Sequence, residues 1–138
     1  PDVKLATGEM IQNKVMFKQF IENKSLDYCQ IDSCRIASLN EIIPVLLMAS
    51  KFNTPVIPHA GGIGLCEYVQ HLNLINKFII TNNDLSLSEY AESCSEHFEN
   101  PAIIKNGGYV TPTSPGYSVK IKESSLEEFD FNNGKYWN

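Results

Sequence analysis

At 138 residues the chain is one domain's worth of sequence, and 43% hydrophobic with 20% charged residues is an ordinary globular composition that excludes general disorder. A net charge of −5 offers no basic field to nucleic acid. No apolar run approaches the roughly 20 residues that a membrane span needs.

The chain opens on Pro1-Asp2, without a methionine, so a targeting segment is not open to judgement from this piece. Residues 3–8 read as a strand that ends at Glu9. Residues 11–23 read as a helix, with Ile11, Val15, Phe17, Phe20 and Ile21 at helical spacings. Residues 26–32 form a second strand rich in aromatic and branched residues, ending at Asp32. Ser38 and Glu41 then make a capping box before a helix through about Phe52. Pro44 inside that helix predicts a late start or a kink.

Asn53-Thr54-Pro55 is a turn, and Val56-Ile57 begins a third strand that ends at His59. The glycine-rich loop Ala60-Gly61-Gly62-Ile63-Gly64 opens a third helix through about Ile75. Residues 77–81 read as a fourth strand, 82–84 as a polar loop, 86–98 as a fourth helix and 102–110 as a further extended segment. From Thr111 onward prolines, glycines and charges dominate, and the spacing predicts a tail wrapped over other structure. The expected division is residues 1–110 for the main body and 111–138 for the tail.

Strands alternating with helices of this length predict an α/β fold of parallel βαβ units. A complete β/α barrel takes about 250 residues, so four βα units are half of one. The repeat drifts from 23 residues (Glu9 to Asp32) to 27 (Asp32 to His59), too irregular for a solenoid.

A carboxylate, a second carboxylate and a histidine thus recur at one structural address. Parallel strands open all their C-terminal ends onto one face, where barrel enzymes place their chemistry. Glu9 has the oxygen donor that suits a hard divalent ion; its plainer reading is a solvated loop carboxylate. Asp32 is open to a salt bridge with Arg35 or a helix cap, or to a partnership with His59. A carboxylate on the neighbouring strand would orient that imidazole and raise its basicity. Gly61-Gly62-Ile63-Gly64 lacks the spacing of a nucleotide loop, and its glycines are expected to allow a tight turn and close approach of substrate. Glu89 is expected in the first turn of the last helix, where a carboxylate is stabilised. His71 and His97 read as structural, and Tyr109, Tyr117, Phe129 and Trp137 as packing anchors for the tail. Cys29, Cys34, Cys66 and Cys94 form no C-x-x-C pair, which points to free, buried thiols in a reducing intracellular compartment.

Several segments carry a family likeness. They are Ala6-Thr7-Gly8-Glu9, Gln30-Ile31-Asp32-Ser33-Cys34-Arg35, the run from Pro58 to Glu67, Val69-Gln70-His71-Leu72 and Pro115-Gly116-Tyr117-Ser118. Together they resemble the enolase superfamily in its mandelate racemase branch, and within it the L-fuconate dehydratase group. The likeness covers nearly the whole chain.

The resemblance implies the C-terminal half of a (β/α)7β TIM-type barrel with a C-terminal capping tail. It implies that Glu9 is a ligand of a catalytic Mg²⁺, that Asp32 and His59 form a dyad, and that Glu9, His59 and Glu89 meet an acid-sugar substrate. The implied reaction removes the proton α to a carboxylate, passes through a Mg²⁺-stabilised enediolate and expels a β-hydroxyl as water, L-fuconate giving 2-keto-3-deoxy-L-fuconate. In it the histidine assists hydroxyl departure while a lysine acts on the opposite face.

The family's K-x-K base motif, two further metal-binding carboxylates and the N-terminal capping domain are absent, and Lys120-Ile121-Lys122 matches the K-x-K only as letters. The loop from Thr81 to Glu89 is about one residue shorter than the family pattern. The expectation is therefore an incomplete piece of a hydro-lyase, mitochondrial or cytoplasmic, with no nucleic-acid or membrane partner and homo-oligomerisation left open. The alternatives are another acid-sugar dehydratase or racemase of the superfamily, or a non-catalytic product that binds partners through open sheet edges.

Overall fold

The computed structural model of the chain describes residues 2–82, 86–91 and 93–137. In chain order these form β1 (Ala6–Thr7), α1 (Lys14–Glu22), β2 (Tyr28–Cys29), α2 (Leu39–Lys51), α3 (Leu65–Ile75), β3 (Ile104–Lys105), β4 (Gly108–Tyr109) and α4 (Glu123–Phe129). A π-helical turn spans Asn76–Thr81 and a 3-10 turn spans Ser95–His97.

The sheet that matters is parallel. Ala6 lies opposite Tyr28 and Thr7 opposite Cys29. Cys29 in turn bridges in parallel to Val56. The ladder runs beyond these short assignments. Gln30 N–H donates to Thr7 O at 2.9 Å, Ile57 N–H to Cys29 O at 2.9 Å and His59 N–H to Ile31 O at 2.9 Å. Three strands therefore lie in the order β1, β2, residues 55–59, and run the same way.

The helices cover this sheet through apolar stripes. Phe17 and Ile21 of α1 and Ile42, Val45, Leu46 and Ala49 of α2 share one core with Cys29, Ile31, Val56 and Leu72. Phe17 is fully buried, and its removal from water contributes about 1.5–3 kcal/mol. Asn13 starts α1 as expected of a helix cap, its Oδ1 accepting Met16 N–H at 2.9 Å.

Four expectations are corrected. First, Ser38 precedes α2, but its side chain makes no capping hydrogen bond. Glu41 serves a different helix: its carboxylate accepts the Lys14 backbone N–H at 3.0 Å and Lys14 Nζ at 2.7 Å. Second, Pro44 does not delay α2, which begins five residues earlier at Leu39. Third, residues 77–81 are not a strand. They continue α3 as the π-helical turn, with Thr81 Oγ1 bonding Asn76 O at 2.9 Å. A short apolar run suits strand or helix equally by pattern; here the running helix satisfies its amides locally.

Fourth, 86–98 is not a helix. Among its described residues only Ser95–His97 is helical, and Cys94 just before them has a left-handed backbone (φ 55°) that cannot continue a helix. Glu89 therefore lies in irregular chain. Residues 83 and 84 of the expected polar loop lie outside the described residues.

The extended segment 102–110 folds into a hairpin, with Ile104 opposite Tyr109 and Lys105 opposite Gly108. Asn106 and Gly107 both take positive φ (54° and 76°), as a type I′ turn demands. The chain after Thr111 then folds back over the body. Ile121 bridges antiparallel to Phe98, Lys122 N–H donates to His97 O at 2.8 Å, and Tyr117 packs on Tyr68 with ring centres 5.9 Å apart. Among the described residues no helix is long and apolar enough to cross a membrane.

All four cysteines are free; Cys29 and Cys66 are buried, whereas Cys34 and Cys94 are exposed. Burial pushes the Cys29 thiol up to about 12. Iodoacetamide at pH 8 is accordingly expected to label Cys34 and Cys94 in the folded chain, and Cys29 only after denaturant, as read by peptide mass spectrometry.

The hydrogen bonds from Lys14 hold the Glu41 carboxyl below its usual range. A carboxyl depressed on folding adds stability above its unfolded value, and loses it as pH falls through the folded one. The thermal midpoint is expected to fall as pH drops below about 4.3. Glu41→Gln should lower the midpoint at pH 7 and shrink that acid-side fall.

Candidate functional site: a histidine between two carboxylates

The parallel ladder brings two of the strand-end residues together. Asp32 leaves the end of the second strand and His59 the end of the third, one hydrogen-bond rung apart. Asp32 Oδ2 stands 2.8 Å from His59 Nδ1. Asp32 Oδ1 accepts the Cys34 N–H at 2.6 Å. Both carboxylate oxygens are thus engaged, and the side chain is only 6% exposed. No ion pair with Arg35 forms among the described residues, and the bond to Cys34 N–H closes a local turn rather than capping α2, which begins at Leu39; of the three readings the histidine partnership is the one that forms.

This contact decides the imidazole's chemistry. An ionised Asp32 can only accept, so Nδ1 carries a proton. Nε2 is then the exchangeable nitrogen, and it points away from the buried carboxylate. The His59 side chain is 23% exposed.

Glu89 closes the other side. Its Oε2 lies 3.7 Å from His59 Nε2 and accepts the Ala60 N–H at 2.8 Å. The imidazole is flanked by a carboxylate at each nitrogen. The sequence expects Glu89 in the first turn of a helix, and that local structure is not the one observed. Glu89 arrives through irregular chain held by tertiary contacts. Tyr109 Oη donates to Glu89 O at 2.7 Å, and Cys66 Sγ to Ala91 O at 3.3 Å. Neither residue is picked out by the sequence for this task, because contacts 20 and 25 residues apart leave no local signal.

Gly61 has a more specific reason than the expected tight turn. A Cβ there would sit 2.7 Å from His59 Nε2 and 2.8 Å from Cε1, inside the imidazole. The ring cannot yield without leaving Asp32. Gly8 does a related job under Glu9. Its φ of +134° turns the chain off β1, and a Cβ would meet Gln30 O at 2.9 Å.

Glu9 follows that turn, half-buried, with Oε2 accepting Gly8 N–H at 3.2 Å. It stands at the end of the strand next to that of Asp32, but no hydrogen bond or ion pair joins it to Asp32 or His59 among the described residues. Its carboxylate fits as one oxygen donor to a hard cation. The described residues hold no cluster of three or more ligating side chains, so they do not complete a Mg²⁺ site by themselves.

Gly61→Ala is expected to swing the imidazole off Asp32 while leaving the fold intact. A crystal structure of the variant checks this: the Nδ1–Oδ2 contact should be broken, with the ladder bond from His59 N–H to Ile31 O retained.

Comparisons with known proteins agree on the family. The family model described as "Enolase C-terminal domain-like" matches residues 1–125. The chain is 50% identical over 137 residues to mitochondrial enolase superfamily member 1 of Xenopus laevis, covering 99% of the chain and 31% of that protein. It is 47% identical over 129 residues to L-galactonate dehydratase of Hypocrea jecorina, covering 94% of the chain and 28% of that protein. The crystal structure of human mitochondrial enolase superfamily member 1 superposes with a TM-score of 0.90 at 45% identity, over 96% of the chain and 30% of that structure. The chain therefore spans under a third of the length of the curated relatives it matches. Its parallel strands and covering helices are half of a (β/α)7β barrel, and the chain belongs to the enolase C-terminal domain-like family.

Proposed function

We propose that this chain supplies the histidine side of the active site in an acid-sugar dehydratase, a hydro-lyase acting on a sugar acid of the L-galacto series. The observation that carries the reading is the 2.8 Å contact between Asp32 Oδ2 and His59 Nδ1, with Glu89 on the far side of the ring. The relatives support the class, and one of them is an L-galactonate dehydratase. L-Fuconate is the 6-deoxy form of L-galactonate, so the two share the stereocentres at which water is lost. We take L-fuconate as the substrate, giving 2-keto-3-deoxy-L-fuconate.

In this reading His59 acts from its Nε2. Protonated there, it donates to the departing β-hydroxyl and makes water the leaving group. Asp32 holds the ring in the donating orientation and offsets the charge of the imidazolium. Glu89 stands where it can contact the substrate and steady the Nε2 proton. Proton removal from the α-carbon falls to a base outside this chain. Glu9 would hold Mg²⁺ together with ligands from outside the chain; that ion supplies positive charge opposite the substrate carboxylate.

Support for a larger assembly comes from the surface. On either side of β1 in the sequence, Val3 is 82% exposed and Met10 60%. Among the described residues the outer edge of β1 has no strand partner. Exposed large apolar residues and an open edge are what a barrel presents when its other half is not there to cover it.

The test is proton exchange in a full-length protein carrying this chain. Substrate is incubated in D₂O, and both the α-hydrogen and water loss are followed. His59→Asn is expected to keep α-exchange and lose elimination by about a hundredfold or more. Asp32→Asn should lose elimination as well, and Glu9→Gln should lose both processes along with Mg²⁺ affinity. Loss of both in His59→Asn with Mg²⁺ binding intact would make His59 the α-proton base, as a racemase would use it. Normal turnover in that variant would remove His59 from the mechanism.

A further inference from the structure

Residues 86–91 carry Glu89 to the imidazole, yet they have no regular secondary structure to hold them. Their position depends on a few contacts made from elsewhere. The Ala60 N–H holds the Glu89 carboxylate, Cys66 Sγ reaches Ala91 O, and Tyr109 Oη reaches Glu89 O at 2.7 Å.

Of the two bonds to the backbone of this segment, the Tyr109 contact is the one that falls on Glu89 itself. It is a short hydroxyl bond to the backbone of the residue itself. A thiol is a weaker donor than a phenol, and Cys66 acts two residues further on. Tyr109 is also well anchored. It lies in β4, paired with Ile104, and packs against the buried cluster of Ala60, Leu65, Cys66 and Val69. Tyr90 stands edge-on to it, with ring centres 5.9 Å apart. Burial raises the phenol above its ordinary range, so it remains a donor through neutral and mildly alkaline pH.

We propose that Tyr109 is a positioning residue for Glu89. Its hydroxyl, delivered from the β3–β4 hairpin, sets the distance between the Glu89 carboxylate and His59 Nε2. The hairpin brackets an otherwise irregular segment against the end of the barrel strands. The 3.7 Å gap between Glu89 and the imidazole is then a property of a hydrogen bond on the far side of the glutamate's backbone. This inference rests on the reading of Glu89 and His59 as an interacting pair in the site.

The chain has three histidines, so the ring signal of His59 is identified as the one missing from His59→Asn. With ring-¹⁵N-histidine in the 138-residue chain, Tyr109→Phe is expected to move the His59 Nε2 signal in the direction that Glu89→Gln moves it. His71 and His97 should stay in place. In the Glu89→Gln background the same substitution should add no further shift, because a residue acting through Glu89 has nothing left to act on. Tyr117→Phe, the same change in the tail, should leave His59 alone.

An unchanged His59 signal in Tyr109→Phe overturns the proposal, and so does a further shift in the double variant. Displacement of all three histidine signals makes Tyr109 an ordinary packing residue and overturns it too. In a full-length enzyme Tyr109→Phe should lower kcat about tenfold or more with KM little changed, and have no such effect beside Glu89→Gln. If no acid sugar is turned over, the catalytic reading fails while the ring signal still decides the positioning claim.

Discussion

The hydrogen bond from His59 N–H to Ile31 O is the constraint on which the rest of the site depends. It is one rung of a parallel ladder, and parallel rungs fix which strand ends become neighbours. Because the side chains alternate along each strand, a slip of one residue would turn either Asp32 or His59 to the opposite face. The register is held by the core beneath it. Cys29, Ile31 and Val56 pack with Phe17, Ile42, Val45 and Leu46, and none of the seven is more than 7% exposed. Apolar burial under the sheet thus sets the polar geometry at its end.

From that rung outward the site is built by exclusion as much as by attraction. Asp32 is buried with both oxygens occupied, so its charge is tolerated only because Cys34 N–H and the imidazole compensate it. Residue 61 must have no Cβ if the ring is to lie where Asp32 can reach it. Glu89 then completes the surround from a segment whose own backbone is tied down by Tyr109 and Cys66. Each part restrains the next.

The same logic explains which sequence readings succeed. Strands one to three are legible because each is a short apolar run between turn signals and amphipathic helices, and parallel topology follows from that alternation. The partnership of Asp32 with His59 is legible for the same reason, since both end adjacent strands. The S-x-x-E box before α2 misleads, because Glu41 has a competing partner in Lys14 that lies 27 residues away in sequence. Residues 77–81 mislead because a run of five is too short for its period to separate strand from helix. The helix expected over 86–98 gives way to contacts with Tyr109, Cys66 and the returning tail strand at Ile121.

What the sequence by itself determined is therefore local and periodic: the α/β class, the order of the first three strands, the existence of α1, and the addresses of Glu9, Asp32 and His59 at strand ends. These depend on burial patterns and turn chemistry within a few residues, which the order of amino acids carries directly. Only the tertiary structure decided how Glu89 reaches the imidazole, why Gly61 must lack a side chain, and what Tyr109 and Glu41 hold. Each of those is a contact between residues far apart in sequence, made possible by packing and decided by which donor finds which acceptor once the core has closed.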